Sequence, residues 1–353
     1  MDIFDYIDSY GDITFEKSKF NDVDNVVFSV LSYLDYTYTS INNSEHTLEF
    51  IGKQYLNHND YKDIKKLGIS QKLAYKTLRK VVKKKRYKDL IIHNYVYSYN
   101  KDKQFGAMMF KINDNLEYMC FEGTDELVSG WKEDFELAYC FPIPAQSDAI
   151  KYANKHIKLK GPNIIIGGHS KGGNLALVAG MYTNILKQIK IKKIYNNDGP
   201  GLRTHEYNSR EFKRVKNKLV HYVPEYSLFG ILLRHNSYYV IKANKKNFFA
   251  HSPGTWLINN NELIPSKLSK TSTVLQENLL VWLRNHSDSE KVRIVTELFC
   301  VFEKSNLKRF SDLPSIKNIR KVLSNARNID DHTKDLVIDL IRFCFFNRKG
   351  NNV

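Results

Sequence analysis

Apolar residues recur along this chain at two different periods. Over 20–38 (FNDVDNVVFSVLSYLDYTY) they fall at helical spacing, with Asn21 or Asp22 placed to cap the helix. Residues 72–88 (KLAYKTLRKVVKKKRYK) read as a second helix, with Leu73, Leu78, Val81 and Val82 forming its apolar side. The pattern then becomes strand-like. DLIIHNYVYSYN (89–100), QFGAMMFKIN (104–113) and LEYMCFEG (116–123) are joined by short segments, and Asn113-Asp114-Asn115 is good turn chemistry. A helix around 145–159 leads to the β-branched run at 164–166. Further strands are predicted at 192–198 (KKIYNND), 218–225 (KLVHYVPE) and 237–243 (SYYVIKA). From about 262 to 346 the chain reads almost wholly as helix.

Strands that open as hairpins and then alternate with helices predict an α/β fold whose mixed sheet becomes mostly parallel. At 353 residues, with 42% hydrophobic residues, the chain can bury a large core. Only 8 prolines and 17 glycines are present, and no linker, repeat or low-complexity stretch divides it, so a single domain is expected.

Charge is distributed unevenly. Residues 1–50 carry ten acids and two bases, a net of −8, so the remainder supplies +24 of the total +16. Residues 72–88 hold nine Lys or Arg. A basic helix face can attract anionic lipid, nucleic acid or an acidic partner. In so lysine-rich a chain it reads first as a solvated face, with at most weak contact to an anionic membrane surface. No zinc or helix-turn-helix signature and no aromatic stacking platform is present, so no specific nucleic acid is expected. Cys120, Cys140, Cys300 and Cys344 lack metal-ligand or paired spacing. Cys120 and Cys140 are expected to be buried free thiols, no metal or cofactor is expected, and a reducing cytoplasm is the simplest setting. The N-terminus is acidic and has no signal-peptide pattern, and no apolar run approaches 18 residues.

The chemistry centres on Gly168-His169-Ser170-Lys171-Gly172. A strand precedes this Gly-x-Ser-x-Gly turn and the helical NLALVAGMYTNIL follows Gly173, which together form the nucleophile elbow of an α/β-hydrolase. Serine needs a base to take its proton and an acid to orient the base, and in this fold both follow it in the chain. Asp198 ends a strand just before Gly199-Pro200-Gly201 and is the favoured acid. Glu225, after KLVHYVP, competes with it. His251 lies in the loop after the last strand and is the favoured base. His221 has a core pattern, His205 and His235 lack an equally good strand-end position, and His169 would point away as support. For the oxyanion hole, the amide of Lys171 follows the nucleophile, and Thr124 in FEGTDE (121–126) can supply the second N–H. The same turn is also compatible with a plain strand end.

These residues resemble the class 3 lipase series. Phe121-Glu122-Gly123-Thr124-Asp125 corresponds to its FRGT-type oxyanion turn, Trp131 to Asp134 to its W-x-x-D segment, and 168–173 to its GHSxGG elbow. The chain is more similar still to a lipase-like bacterial family whose domain has no assigned function. That likeness rests on residues 20–35, GHSKGGNLA (168–176), NDGPG (197–201), VPEYSLFGILL (223–233), and His251 before Trp256. The resemblance implies an α/β-hydrolase fold and a Ser170, Asp198, His251 triad; within the single domain, N-terminal helices (1–88), a catalytic core (89–256) and a helical C-terminal extension (257–353) are expected. Two departures stand out. Glu122 replaces the usual Arg, and no aspartate follows Val223-Pro224, which favours Asp198 while keeping Glu225 open. The expected activity is a serine hydrolase on small-molecule or lipid esters, with 199–250 or the helices after 260 as a lid. The alternative is a catalytically silent hydrolase-like module that binds anionic membrane or a macromolecule through its basic face. The sequence says nothing of oligomeric state.

Overall fold

The computed structural model describes residues 1–58, 67–100, 103–124, 128–306 and a few positions between 320 and 334. Its frame is an eight-stranded sheet: β1 (His46–Thr47), β2 (Ile91–Tyr99), β3 (Gln104–Asn113), β4 (Leu116–Phe121), β5 (Asn163–His169), β6 (Ile191–Asn197), β7 (Leu219–Pro224) and β8 (Tyr239–Ile241). The strands lie in sequence order. The first four pair antiparallel, and every pair from β4–β5 onward is parallel. Short links suffice for the antiparallel run β2–β3–β4, whereas each parallel pair needs a longer crossover, helical up to β7 and made by the loop 225–238 between β7 and β8. This is an α/β-hydrolase fold with a mixed, mostly parallel sheet.

Nine helices of eight or more residues are described: α1 (Ile3–Tyr10), α2 (Asp22–Leu31), α3 (Leu48–His58), α4 (Ile69–Val81), α5 (Val128–Glu136), α6 (Pro144–His156), α7 (Lys171–Tyr182), α8 (Lys270–Asn285) and α9 (Asp288–Lys304). Asn21 caps α2 by accepting from the Val23 and Asp24 amides, as its position predicted. The tail is less helical than the pattern suggested. Ile258–Asn259 and Glu262–Leu263 pair as a small hairpin, and helix begins only at Lys270. The expected helix at 335–346 and Cys344 lie outside the described residues.

Each face of the sheet carries its own core, because strand side chains alternate between faces. Met108, Phe110, Tyr118, Cys120 and Ile165 pack with α1, α2 and α4 on one face. Ala107, Met109, Met119, Phe121, Ile164 and Ile166 pack with α6 and α7 on the other. Trp256, Ile258 and Leu263 join the first core, so the chain after β8 folds back beneath the N-terminal helices. Cys120 is a buried free thiol. Cys140 is only half-buried, because it lies in the loop after α5 rather than on a strand.

The basic segment is partly neutralised by the acidic N-terminus. Lys80 pairs with Asp8 and Lys84 with Asp12. Arg86 is buried and holds Asp24 through Nε at 2.8 Å and Nη2 at 2.5 Å. The two oppositely charged stretches of sequence thus meet in the fold. Among the described residues no helix is long and apolar enough to cross a membrane.

Candidate active site

The parallel strands deliver their chemistry at one edge of the sheet, where β5, β6 and β7 end. Between β5 and α7 the chain reverses at Ser170, whose φ of 57° and ψ of −132° lie outside the ordinary regions. Strain of this kind is retained where the surroundings over-determine it. Here the surroundings are glycines. A Cβ on Gly172 would fall 2.2 Å from the Phe121 carbonyl, and one on Gly168 would fall 2.4 Å from Gly172 itself. Only glycine on both sides of the serine lets the elbow sit against the end of β4.

That contact also brings β4 into the site. Residues 122–124 run past the elbow, and a Cβ on Gly123 would collide with the His169 carbonyl at 2.4 Å. Thr124 is buried, and among the described residues its amide has no backbone acceptor and its hydroxyl no partner. Lys171 is the first residue of α7, so its amide has no intrahelical acceptor either. Asp125 lies outside the described residues.

The Lys171 side chain has a role that the sequence did not suggest. It is fully buried and reaches away to Glu133 Oε2 at 2.6 Å and the Gln104 carbonyl at 3.0 Å. Glu133 in turn accepts from the Ala145 amide at 3.0 Å. Elbow, α5 and the start of α6 are therefore tied by one internal ion pair.

Asp198 follows β6 in left-handed backbone, with φ 53°. The turn after it is braced by Asn196 Oδ1, which accepts from Gly199 N at 2.8 Å, and by Asn174 Nδ2, which donates to the Gly201 carbonyl at 2.8 Å. Asp198 is fully buried. Its Oδ2 lies 2.6 Å from His251 Nδ1, while Oδ1 accepts from Ser227 Oγ at 2.5 Å and from the Gly230 amide at 3.1 Å. Gly230 is required by closeness, since a Cβ there would sit 2.2 Å from Oδ1. Glu225, the competing acid, accepts instead from Ser266 Oγ at 2.7 Å and has no bond to His251. His221 and His235 are paired with each other, ring centroids 4.8 Å apart. His205 is at the surface, 3.0 Å from Glu206.

Burial disfavours charge on both partners. It pushes Asp198 up to about 8, with the Ser227 and Gly230 donors pulling back, and pushes His251 down to about 3. The imidazole is therefore neutral near pH 7. In the competent form of the pair Asp198 is ionised and accepts Nδ1–H, which leaves on Nε2 the lone pair that a base requires; with the carboxyl held up to about 8, that form fills as pH rises toward and past this value. Ser170 Oγ and His251 Nε2 have no hydrogen-bond partner among the described residues. Such contacts commonly tighten only when substrate is bound.

A second layer holds the histidine. His169 Nε2 lies 2.8 Å from the His251 carbonyl, which can only accept, so Nε2 carries the hydrogen and Nδ1 accepts from Tyr33 Oη at 2.7 Å. Burial keeps this imidazole neutral by lowering its pKa to about 3. The expectation that His169 points away as support therefore matches its placement. Trp256 adds a hydrogen bond from Nε1 to the Ala250 carbonyl at 2.9 Å. From α2, Asn25 exchanges amide hydrogen bonds of 2.9 and 3.0 Å with Asn197, whose Nδ2 also reaches the Gly168 carbonyl. Ser227, Gly230, Tyr33 and Glu133 were all missed as site residues. Only the Ser-x-x-Gly spacing of 227–230, a turn signal, could have marked the first two.

Ser170 opens on an apolar cavity of about 150 Å³. Trp131 and Phe135 of α5, Phe229 and Leu232 of the 225–235 loop, Leu279 and Trp282 of α8, and Ile294 and Val295 of α9 line it. Phe229 also packs on the His251 ring, centroids 4.5 Å apart. Both segments expected as a lid, the 199–250 region and the helices after 260, contribute residues to the lining.

Among solved structures the chain is similar to M37 lipase, with TM-score 0.36 and 14% identity over 59% of this chain and 68% of that one. It is also similar to the Rhizomucor miehei lipase propeptide complex, with TM-score 0.36 and 13% identity over 62% and 67%. No curated protein matches. The sequence profile of the Mbeg1-like family matches residues 81–300, more than half of the chain, a span that includes Thr124, Ser170, Asp198 and His251. The chain belongs to the Mbeg1-like family.

Proposed function

We propose that this protein is a serine hydrolase of carboxylic esters. The observation that carries the reading is a serine held in strained elbow geometry at an apolar cavity, beside a neutral histidine bonded to a fully buried aspartate. In this reading Ser170 Oγ attacks the ester carbonyl and its proton passes to His251 Nε2. Asp198 stabilises the imidazolium through Nδ1–H without itself taking the proton. The negative oxygen of the tetrahedral intermediate is held by the amides of Thr124 and Lys171, with the positive end of α7 behind them. Collapse breaks the acyl–oxygen bond, and His251 returns the proton to the departing alcohol. Water then attacks the acyl-enzyme by the same route in reverse and releases the acid. No metal or organic cofactor enters these steps.

The cavity sets the acyl group. A dry pocket of this volume holds about six carbon atoms, as cavities of similar size lined by Leu, Ile and Phe hold benzene. The preferred acyl chain is therefore short, with longer chains requiring α8 and α9 to move. Against the silent-module alternative, Lys80, Lys84 and Arg86 of the basic segment are engaged in internal ion pairs.

The test is covalent labelling by a fluorophosphonate together with turnover of p-nitrophenyl butyrate. Wild type is expected to label and turn over, and Ser170→Ala to do neither. Equal labelling of the two proteins would remove Ser170 as the nucleophile.

A further inference from the structure

A second cavity, of about 630 Å³, adjoins the one at Ser170. The two share Ala138, Leu233, Leu283 and Lys291 as a common wall. Their chemistry is opposite. Leucine and aromatic side chains dominate the inner cavity, whereas Arg203, Arg234, Arg284 and Lys291 line the outer one, with Asp288 as the only carboxylate among the described residues that line it. Asp288 is already shared by two cations, at 3.0 Å from Lys291 and 3.4 Å from Arg203. Arg203 also lies 3.6 Å from Glu206. Arg234 and Arg284 are exposed and have no carboxylate partner among the described residues. The outer cavity therefore holds uncompensated positive charge, in the residue type best suited to forked contact with phosphate or carboxylate.

We propose that the two cavities are one substrate site, and that the substrate is an amphiphilic ester with a short apolar acyl chain and a phosphate or carboxylate group. The acyl chain occupies the inner cavity, and the anion lies between Arg234 and Arg284 in the outer one. The inference rests on the hydrolase reading for its chemistry, but the anion site makes a separate prediction about binding.

Two measurements test it. In the first, Ser170→Ala is titrated calorimetrically with hexyl phosphate and with hexanol. The phosphate is expected to bind about tenfold or more tightly, and R234E/R284E to erase that preference. In the second, wild type hydrolyses 1-hexanoyl-glycerol-3-phosphate and 1-hexanoyl-glycerol, followed by hexanoate release. The phosphate ester is expected to be favoured about tenfold in kcat/KM, with the preference shrinking as salt rises. A long-chain acyl-glycerol phosphate in phospholipid vesicles identifies the source of the anion. Faster turnover there than of the monomeric ester points to a lipid headgroup, and slower turnover to a soluble phosphate ester. Equal binding of hexyl phosphate and hexanol, or a preference untouched by R234E/R284E, overturns the anion site whether or not any ester is cleaved. Absent fluorophosphonate labelling with intact hexyl phosphate preference would instead sink the hydrolase reading alone.

Discussion

Ser227→Ala isolates what a single hydroxyl does for the acid of the dyad. Its Oγ donates to Asp198 Oδ1 at 2.5 Å, on the oxygen that does not face His251. Asp198 has no solvent to stabilise its charge, and burial already lifts it to about 8. A hydrogen bond to a charged group contributes about 1.5–3 kcal/mol. At 1.36 kcal/mol per pKa unit this is about 1–2 units. Removing a donor to the ionised form disfavours that form, so the pKa moves up. The competent dyad has an ionised Asp198 and a proton on Nδ1, and the two groups titrate together. The acid limb of kcat/KM should therefore move to higher pH by about 1–2 units, while the high-pH plateau changes much less. The assay is a pH–rate profile for p-nitrophenyl butyrate from acid to alkaline pH, with Ser227→Thr as a control that keeps the hydroxyl. An unmoved limb, or one displaced to lower pH, would refute the assigned role of Ser227.

Asp198→Asn should lower kcat by about 10³–10⁴, because the amide cannot favour the correct imidazole tautomer. Glu225→Gln should stay near wild type, and the opposite pattern would exchange the two acids. The same Asp198→Asn variant should be no less stable than wild type at pH 9. A carboxyl whose folded pKa is raised loses stability as pH climbs through that value, and the amide cannot ionise; thermal melts at pH 5 and pH 9 check the sign. Glu133→Ala should destabilise by about 3–5 kcal/mol, since it leaves the Lys171 ammonium buried and alone. Glu133→Leu with Lys171→Met should recover much of that loss, as read by urea unfolding, and additive single effects would deny the coupling. Tyr33→Phe removes the hydroxyl at His169 Nδ1 and should lower kcat about 3–10-fold with little change in KM, on the reasoning that it acts through the placement of His251. A change confined to KM would show that Tyr33 acts on binding instead.

Local patterns carried a large part of this protein. Period-2 alternation in 89–123 was enough for β2, β3 and β4, because each needs only two faces and a short turn. The Gly-x-Ser-x-Gly spacing marked the elbow because its glycines are forced by close backbone approach, a constraint written at fixed offsets. Asp198 was visible as a strand-end residue and His251 as a histidine in the loop after the last strand, in the right chain order. The sequence by itself could not choose between Asp198 and Glu225, since both end strands, and that choice depends on which carboxylate faces the histidine in space. Nor could it show that Lys171 turns its side chain inward to Glu133, or that Tyr33, 136 positions before His169, donates to that imidazole. The two adjoining cavities were equally invisible. Their walls come from α5, the 225–235 loop, α8 and α9, segments that meet only once the sheet has formed. Short-range spacing fixes backbone shape, whereas charge pairing and pocket chemistry arise from side chains far apart in the chain, and only tertiary packing brings those together.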